Sequence, residues 1–277
     1  MSGVVVQKLL HAGLSRMVLH EGYDRVAGFV VEAAAAATLD TPEKLLSGYG
    51  FAGDEPATVD VVRFLVPPGA RVSAPVDESR PWPTYENGFL RPVDGALVPV
   101  WQVSYTRWPA GAELWRIHTD GIQEQVSWYR GAALGWHGVP VWRPPSRWVG
   151  CRAMWHGAEY AADVRGGQVE LTAVEQPPST ACWQQVRAGV WTTTVPVEDT
   201  EIFELQFTGT YQGIPVRIVD VHGATGTVIL QTSDPRAAAT VNATMIDPGV
   251  FQVPAVDLRE IEQTRLAARQ WTPVPSK

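Results

Sequence analysis

The sequence predicts an α+β protein: antiparallel, hairpin-rich sheets with an N-terminal helix, a short second helix and a C-terminal helix. Three observations predict it. Apolar residues recur at helical spacing near both ends, Asp120-Gly121 lies between two alternating segments, and Gly166-Gly167 and Gly223-to-Gly226 mark two further chain reversals.

Residues 4–20 place Val6, Leu9, Leu10, Leu14, Met17 and Val18 at helical spacing, which predicts an amphipathic helix despite Gly13. Val26 to Val31 is a short apolar run. In Thr41-Pro42-Glu43-Lys44-Leu45-Leu46-Ser47-Gly48 a Thr cap, Pro at the first helical position, an acidic first turn and a terminal Gly spell a short helix. Val61 to Val66 reads as a strand stopped by Pro67-Pro68-Gly69, and residues 73–99 are loop-rich, with Pro75, Pro81, Pro83, Pro92 and Pro99.

Eight of the twelve tryptophans fall between Trp101 and Trp155. Trp101, Val103 and Tyr105 share one face of a strand. A two-residue Asp120-Gly121 loop pairs 119 with 122, 117 with 124, 115 with 126 and 113 with 128, so Trp115, Ile117, Ile122, Val126 and Trp128 form an apolar face. Leu114, Arg116 and His118 then face solvent. The Gly166-Gly167 reversal sets Val164 beside Val169, Ala162 beside Leu171 and Tyr160 beside Ala173; a looser hairpin runs from Val216 to Thr232. An aromatic-x-Gly step recurs in Tyr129-Arg130-Gly131, Trp155-His156-Gly157 and Tyr211-Gln212-Gly213. Asp257 caps the expected C-terminal helix, with Leu258, Ile261, Leu266 and Ala268 on one side. Arg143-Pro144-Pro145-Ser146-Arg147 divides an N-terminal unit, 1–143, from a C-terminal unit, 148–277; a single continuous domain is the alternative.

At 277 residues and 45% hydrophobic content, the chain supports a substantial core without cross-links. A net charge of −7, with no run of Lys or Arg, argues against nucleic acid or an anionic membrane and suits a protein partner. Nineteen Arg stand against Lys8, Lys44 and Lys277, a bias typical of GC-rich bacterial genomes. The first twenty residues lack a small-residue cleavage site, and no apolar stretch approaches the ~18 residues of a membrane span. Cys151 and Cys182 read as free, buried thiols in a reducing cytosol.

Gln176-Pro-Pro-Ser-Thr-Ala-Cys182-Trp183 resembles the active-site segment of papain-like cysteine proteases, where a Gln six residues before the nucleophile helps form the oxyanion hole and a Trp follows the Cys. The resemblance covers about eight residues. It implies Cys182 as nucleophile, with His222 as base and Asp234 as its orienter. Thr180 stands where the family has Gly, Val186 where it has a small residue, and His222 comes too soon after the cysteine. The competing reading is a structural Cys beside a packing Trp.

A metal would call on His118, Asp120 and His137, but the hairpin pairing leaves His118 on the polar face and consumes Asp120 in the turn. No metal is expected. Gly223-Ala224-Thr225-Gly226 lacks the Lys and the spacing of a phosphate loop, so no cofactor is expected either. His156 and His222 sit at hairpin ends, and Glu198, Asp199, Glu201 and Glu204 read as exposed acidic residues between strands.

What remains is a loop-borne aromatic set, Trp108, Trp136, Trp142 and Trp148, with Arg130 and His137 beside it and Arg107, Arg143 and Arg147 near. Loops run over surfaces, and Trp with Arg is the pairing of binding hot spots. The set either joins two halves of the molecule or meets a partner. The sequence therefore points to a non-catalytic, cytoplasmic, bacterial protein-binding module, of the kind exemplified by toxin-neutralising immunity proteins. The alternatives are a cysteine-dependent hydrolase using Cys182 and a structural or virion component.

Overall fold

A computed structural model of the chain describes residues 3–49, 51, 56–73, 89–93, 96–175 and 182–271. Strands take up 54% of it and helices 12%, so the α+β expectation is corrected to a mostly-β protein built on two large antiparallel sheets.

The first sheet contains β1 (Val5–Leu10), β2 (Arg25–Glu32), β3 (Thr58–Leu65), β4 (Val72–Ser73), β5 (Phe89–Val93), β6 (Ala96–Arg107), β7 (Glu113–His118) and β8 (Gln123–Trp128). Their order is β4-β6-β2-β1-β3-β7-β8, with β5 also on β6. Both faces are covered. Leu9, Phe29, Val61 and Ile117 pack on one side with α2 (Pro42–Gly48); Val6, Val30, Phe64 and Leu114 pack on the other with α1 (Ala12–Glu21). That explains why the N-terminal segment is a strand before it is a helix. Val6 to Leu10 lies in a central strand buried on both faces, where even Gln7 and Lys8 are covered, so its apolar residues follow neither a clean strand nor a clean helix period. The helix begins only after His11, whose Nδ1 accepts from the Leu14 amide at 3.2 Å. The Thr41-Pro42 helix forms as the sequence dictates, its Thr41 hydroxyl accepting from the Lys44 amide at 3.3 Å.

The second sheet holds β9 (Arg152–Trp155), β10 (Ala158–Arg165), β11 (Gln168–Val174), β12 (Gln184–Arg187), β13 (Val190–Pro196), β14 (Glu201–Tyr211), β15 (Ile214–His222), β16 (Thr225–Leu230), β17 (Thr244–Asp247), β18 (Val250–Asp257) and β19 (Ile261–Trp271). The order is β12-β13-β11-β10-β9-β14-β15-β16-β18-β17, with β19 on β14. The Gly166-Gly167 hairpin has the expected register, Val164 opposite Val169 and Ala162 opposite Leu171. The aromatic-x-Gly steps at 155–157 and 211–213 are tight reversals. His156 and Gly157, then Gln212 and Gly213, all have positive φ, the pattern of the two-residue turns that match strand twist. Asp234 and Pro235 open a short helix, α3 (Pro235–Thr240).

Two local expectations are overturned. Asp257 caps only a single 3₁₀ turn, Leu258–Glu260, and the expected C-terminal helix is the long strand β19, because β14 offers it a ladder from Ile202 to Tyr211. The Asp120-Gly121 hairpin exists but closes one residue wider. The His118 amide donates to Ile122 O, Ile117 pairs with Gln123 and Trp115 with Gln125, and a bulge restores Glu113 opposite Trp128. Contrary to the expected apolar face, Ile122 and Trp128 are exposed, while Leu114 and Ser127, on the face expected to meet solvent, are buried, because both faces of this sheet are covered.

Between the sheets lies a shared core of Ala27, Val149, Val219, Ile229 and Val250, flanked by Tyr105 and Trp148. No helix among the described residues is long and apolar enough to cross a membrane.

Candidate functional site

The chain passes from the last strand of the first sheet to the first strand of the second through residues 129–151, and this crossing is held by buried charges. Arg107, at the end of β6, donates through Nη2 to Ala162 O at 2.7 Å and lies 3.5 Å from Asp163 Oδ1; both side chains are buried. Asp163 Oδ2 accepts from the Ala132 amide at 2.7 Å. Burial disfavours the Arg107 charge, yet Asp163 holds its pKa above the ordinary value. Arg217 on β15 meets Glu204 Oε1 at 3.0 Å, and the same carboxylate oxygen accepts from the Gly150 amide at 3.0 Å. Arg217 also donates to Tyr105 O, to Trp148 O at 3.3 Å and to Leu205 O at 3.0 Å. A third buried pair, Lys8 with Asp247, links β1 to β17.

Each of these pairs ties one sheet, or the crossing segment, to the other. Sequence reasoning missed them. Glu204, expected as an exposed acid, is fully buried, and neither Arg217 nor Asp163 carried any local signal of burial. The one available cue was Glu204 itself, an acidic residue between Phe203 and Leu205 in a strand-like run.

The loop aromatics divide differently from the expectation. Trp108 is 0% exposed and Trp136 is 2% exposed, stacked edge-to-face at 5.9 Å in the core of the first sheet. Phe64 and Tyr129 complete that cluster, and the Trp136 indole donates to Tyr23 O at 2.9 Å. Neither ring reaches the surface. Trp142 is half-buried, donating to Ala132 O at 3.0 Å, with the Arg187 guanidinium 4.7 Å from its ring. Trp148 packs on Phe207 at 5.3 Å under Arg147. Only Arg130 and His137 are exposed, and His137 stacks flat on Trp128 at 3.7 Å. The six residues are therefore spread over a core, a junction and a surface instead of one face.

The nucleophile constellation is not assembled. Of the two cysteines expected to be buried only Cys151 is; Cys182 is exposed just before β12, six strand places along the sheet from β15, which ends at His222. The His222 ring pairs with Asp220 at 3.0 Å, Asp234 spends its carboxylate on the Arg236 amide at 2.8 Å, and Gln176 lies outside the described residues. His118 lies 3.6 Å from Glu124, and Asp120 accepts from the Ile122 amide at 3.0 Å, so these two and His137 face different partners.

The surface feature that the sequence did not announce is β19. Its eleven residues bond only to β14, leaving its outer edge unpaired among the described residues. From Glu262 to Gln270 only Ala267 is partly covered, so both faces are open as well. No family model matches the sequence, and neither a curated protein nor a solved structure matches it significantly.

Proposed function

We propose that the protein is a non-catalytic, protein-binding structural component of a larger bacterial assembly, and that its binding element is the outer edge of β19. One observation carries the reading. Fixing a backbone residue costs about 1–2 kcal/mol, whereas a net hydrogen bond returns about 0.5–1.5 kcal/mol. A strand with one bonded edge and no buried face does not offset its own ordering, and a partner strand on the free edge would supply a second ladder. Natural edges of this length are blunted or used; Glu262, Arg265, Arg269 and a bulge near Gln263 interrupt the edge of β19, while Leu266, Ala267 and Ala268 leave an uncharged stretch open for pairing. The toxin-neutralising reading leaned on the loop aromatics, two of which are core. The exposed free thiol of Cys182 supports a reducing compartment, hence the cytoplasm.

Proline at consecutive positions tests this. Successive amides of a strand point to opposite edges, so of Leu266→Pro and Ala267→Pro one removes a donor facing β14 and the other a donor facing outward. The variant that keeps wild-type stability is expected to lose incorporation into the native assembly. Full incorporation of that stable variant would refute the proposal.

A further inference from the structure

Arg63 stands on β3 between two directly opposed residues, Gln7 on β1 and Glu113 on β7. Its Nε donates to Gln7 Oε1 at 2.9 Å, its Nη2 donates to Gln123 Oε1 at 2.8 Å, and its guanidinium lies 5.3 Å from the Trp115 ring centre. Both acceptors are neutral carboxamides. Glu113 spends its Oε2 on the Trp115 indole at 3.0 Å and makes no ion pair with Arg63 among the described residues. Gln7 is only 3% exposed, which fixes the Nε side of the fork. Partial burial weakens the hold of Arg63 on its proton, with Glu113 acting in the opposite sense. The cation is thus partly desolvated and has no carboxylate within ion-pair distance among the described residues.

Arg63 borders an open recess of about 330 Å³, walled by Ala33, Ala36, Ala37 and Leu39, with Gln123 at its rim. We propose that this recess binds a small carboxylate with a short aliphatic stem, the carboxylate on Arg63 and the stem against the alanine methyls and Leu39. A guanidinium fork matches a carboxylate in shape and charge. The volume sits at the lower end of ligand pockets, which span roughly 300–1,000 Å³. Apart from Arg63 and Gln123 the walls offer no polar side chain, so the recess presents one cation, which matches a singly charged carboxylate better than a phosphate ester. A free acid and the C-terminal carboxylate of a peptide ending in alanine present the same chemistry.

The test is titration of the folded protein with butyrate, read at the Trp115 indole resonance in a nitrogen–proton correlation spectrum. The expected result is a saturable shift with Kd on the order of 1 mM, weakened at least about tenfold for butyramide, which has the shape without the charge. Arg63→Gln is expected to lose the response to the same degree while keeping the wild-type near-ultraviolet circular dichroism. An acetylated dipeptide ending in alanine, with free or amidated terminus, separates the sources. Tighter binding than butyrate by the free terminus alone assigns a peptide end, and equal or weaker binding assigns a free acid. Equal response to butyrate and butyramide, no saturation, or unchanged binding by Arg63→Gln overturns the proposal. If Arg63→Gln does not fold, Gln123→Ala on the exposed edge strand replaces it. There a loss of about threefold or more is expected, and unchanged affinity is equally decisive against it.

Discussion

Arg217 and Glu204 meet at 3.0 Å with neither side chain more than 5% exposed, and the same guanidinium reaches the carbonyls of Tyr105 and Trp148 outside the second sheet. Removing one partner leaves an uncompensated buried charge. Glu204→Leu or Arg217→Met alone is expected to cost about 3–5 kcal/mol, while the two substitutions together cost less than the sum. Urea unfolding of the four-member cycle measures this. Additive losses would mean that the two groups do not sense each other.

Trp136→Ala is expected to destabilise by about 3–5 kcal/mol, because it opens a cavity beside Trp108 and strips the donor from Tyr23 O. Trp128→Ala, on a side chain 40% exposed, is expected to cost less than about 1 kcal/mol. The contrast, read from thermal unfolding, separates a core tryptophan from a surface one.

Cys182 and Cys151 differ in reach. A small thiol reagent is expected to label Cys182 in the native protein and Cys151 only after unfolding, since burial also pushes the Cys151 thiol pKa up. His222→Ala should leave the Cys182 rate unchanged, because His222 pairs with Asp220. A fall in rate of about tenfold or more would revive the nucleophile reading.

Glu170 lies directly opposite Asp163, and burial first, then that like charge, raises its pKa, with Arg165 and Arg130 opposing. The folded state therefore holds this proton to higher pH than the unfolded chain, whose glutamates titrate near about 4.3. Stability is lost as pH rises from there through the folded value. Glu170→Gln is expected to be more stable than wild type at pH 7 and to lose that advantage at pH 4 and below. Thermal midpoints of both proteins across this range measure the difference. A constant difference would place the effect in packing.

How far the sequence reached depends on where each structure gets its information. The Gly166-Gly167 hairpin and the Thr41-Pro42 helix were readable because turn and cap chemistry is local. At Asp120-Gly121 the same signal predicts a reversal at the right place but the wrong loop length, two residues instead of three. Asp120 bonds the Ile122 amide and Gly121 takes positive φ, giving a three-residue loop that shifts the pairing by one. Val5–Leu10 and Ile261–Trp271 carry helical spacing but form strands, because their ladder partners on β3 and β14, not local propensity, decide such mixed segments. The buried Arg107–Asp163 and Arg217–Glu204 pairs join residues on different strands, and nothing in the one-dimensional pattern brings them together. Placing Trp108 and Trp136 on the surface followed from their loop positions, which the packing of residues 129–151 against the first sheet overrides.

The most direct measurement is amide hydrogen exchange along Glu262–Gln270, compared between the isolated chain and the assembly recovered from the native source. If β19 is the binding edge, its outward amides exchange freely in isolation and slow by about a hundredfold or more in the assembly, while the amides facing β14 change little. Identical exchange of β19 in both states, with protection appearing elsewhere, would contradict the account.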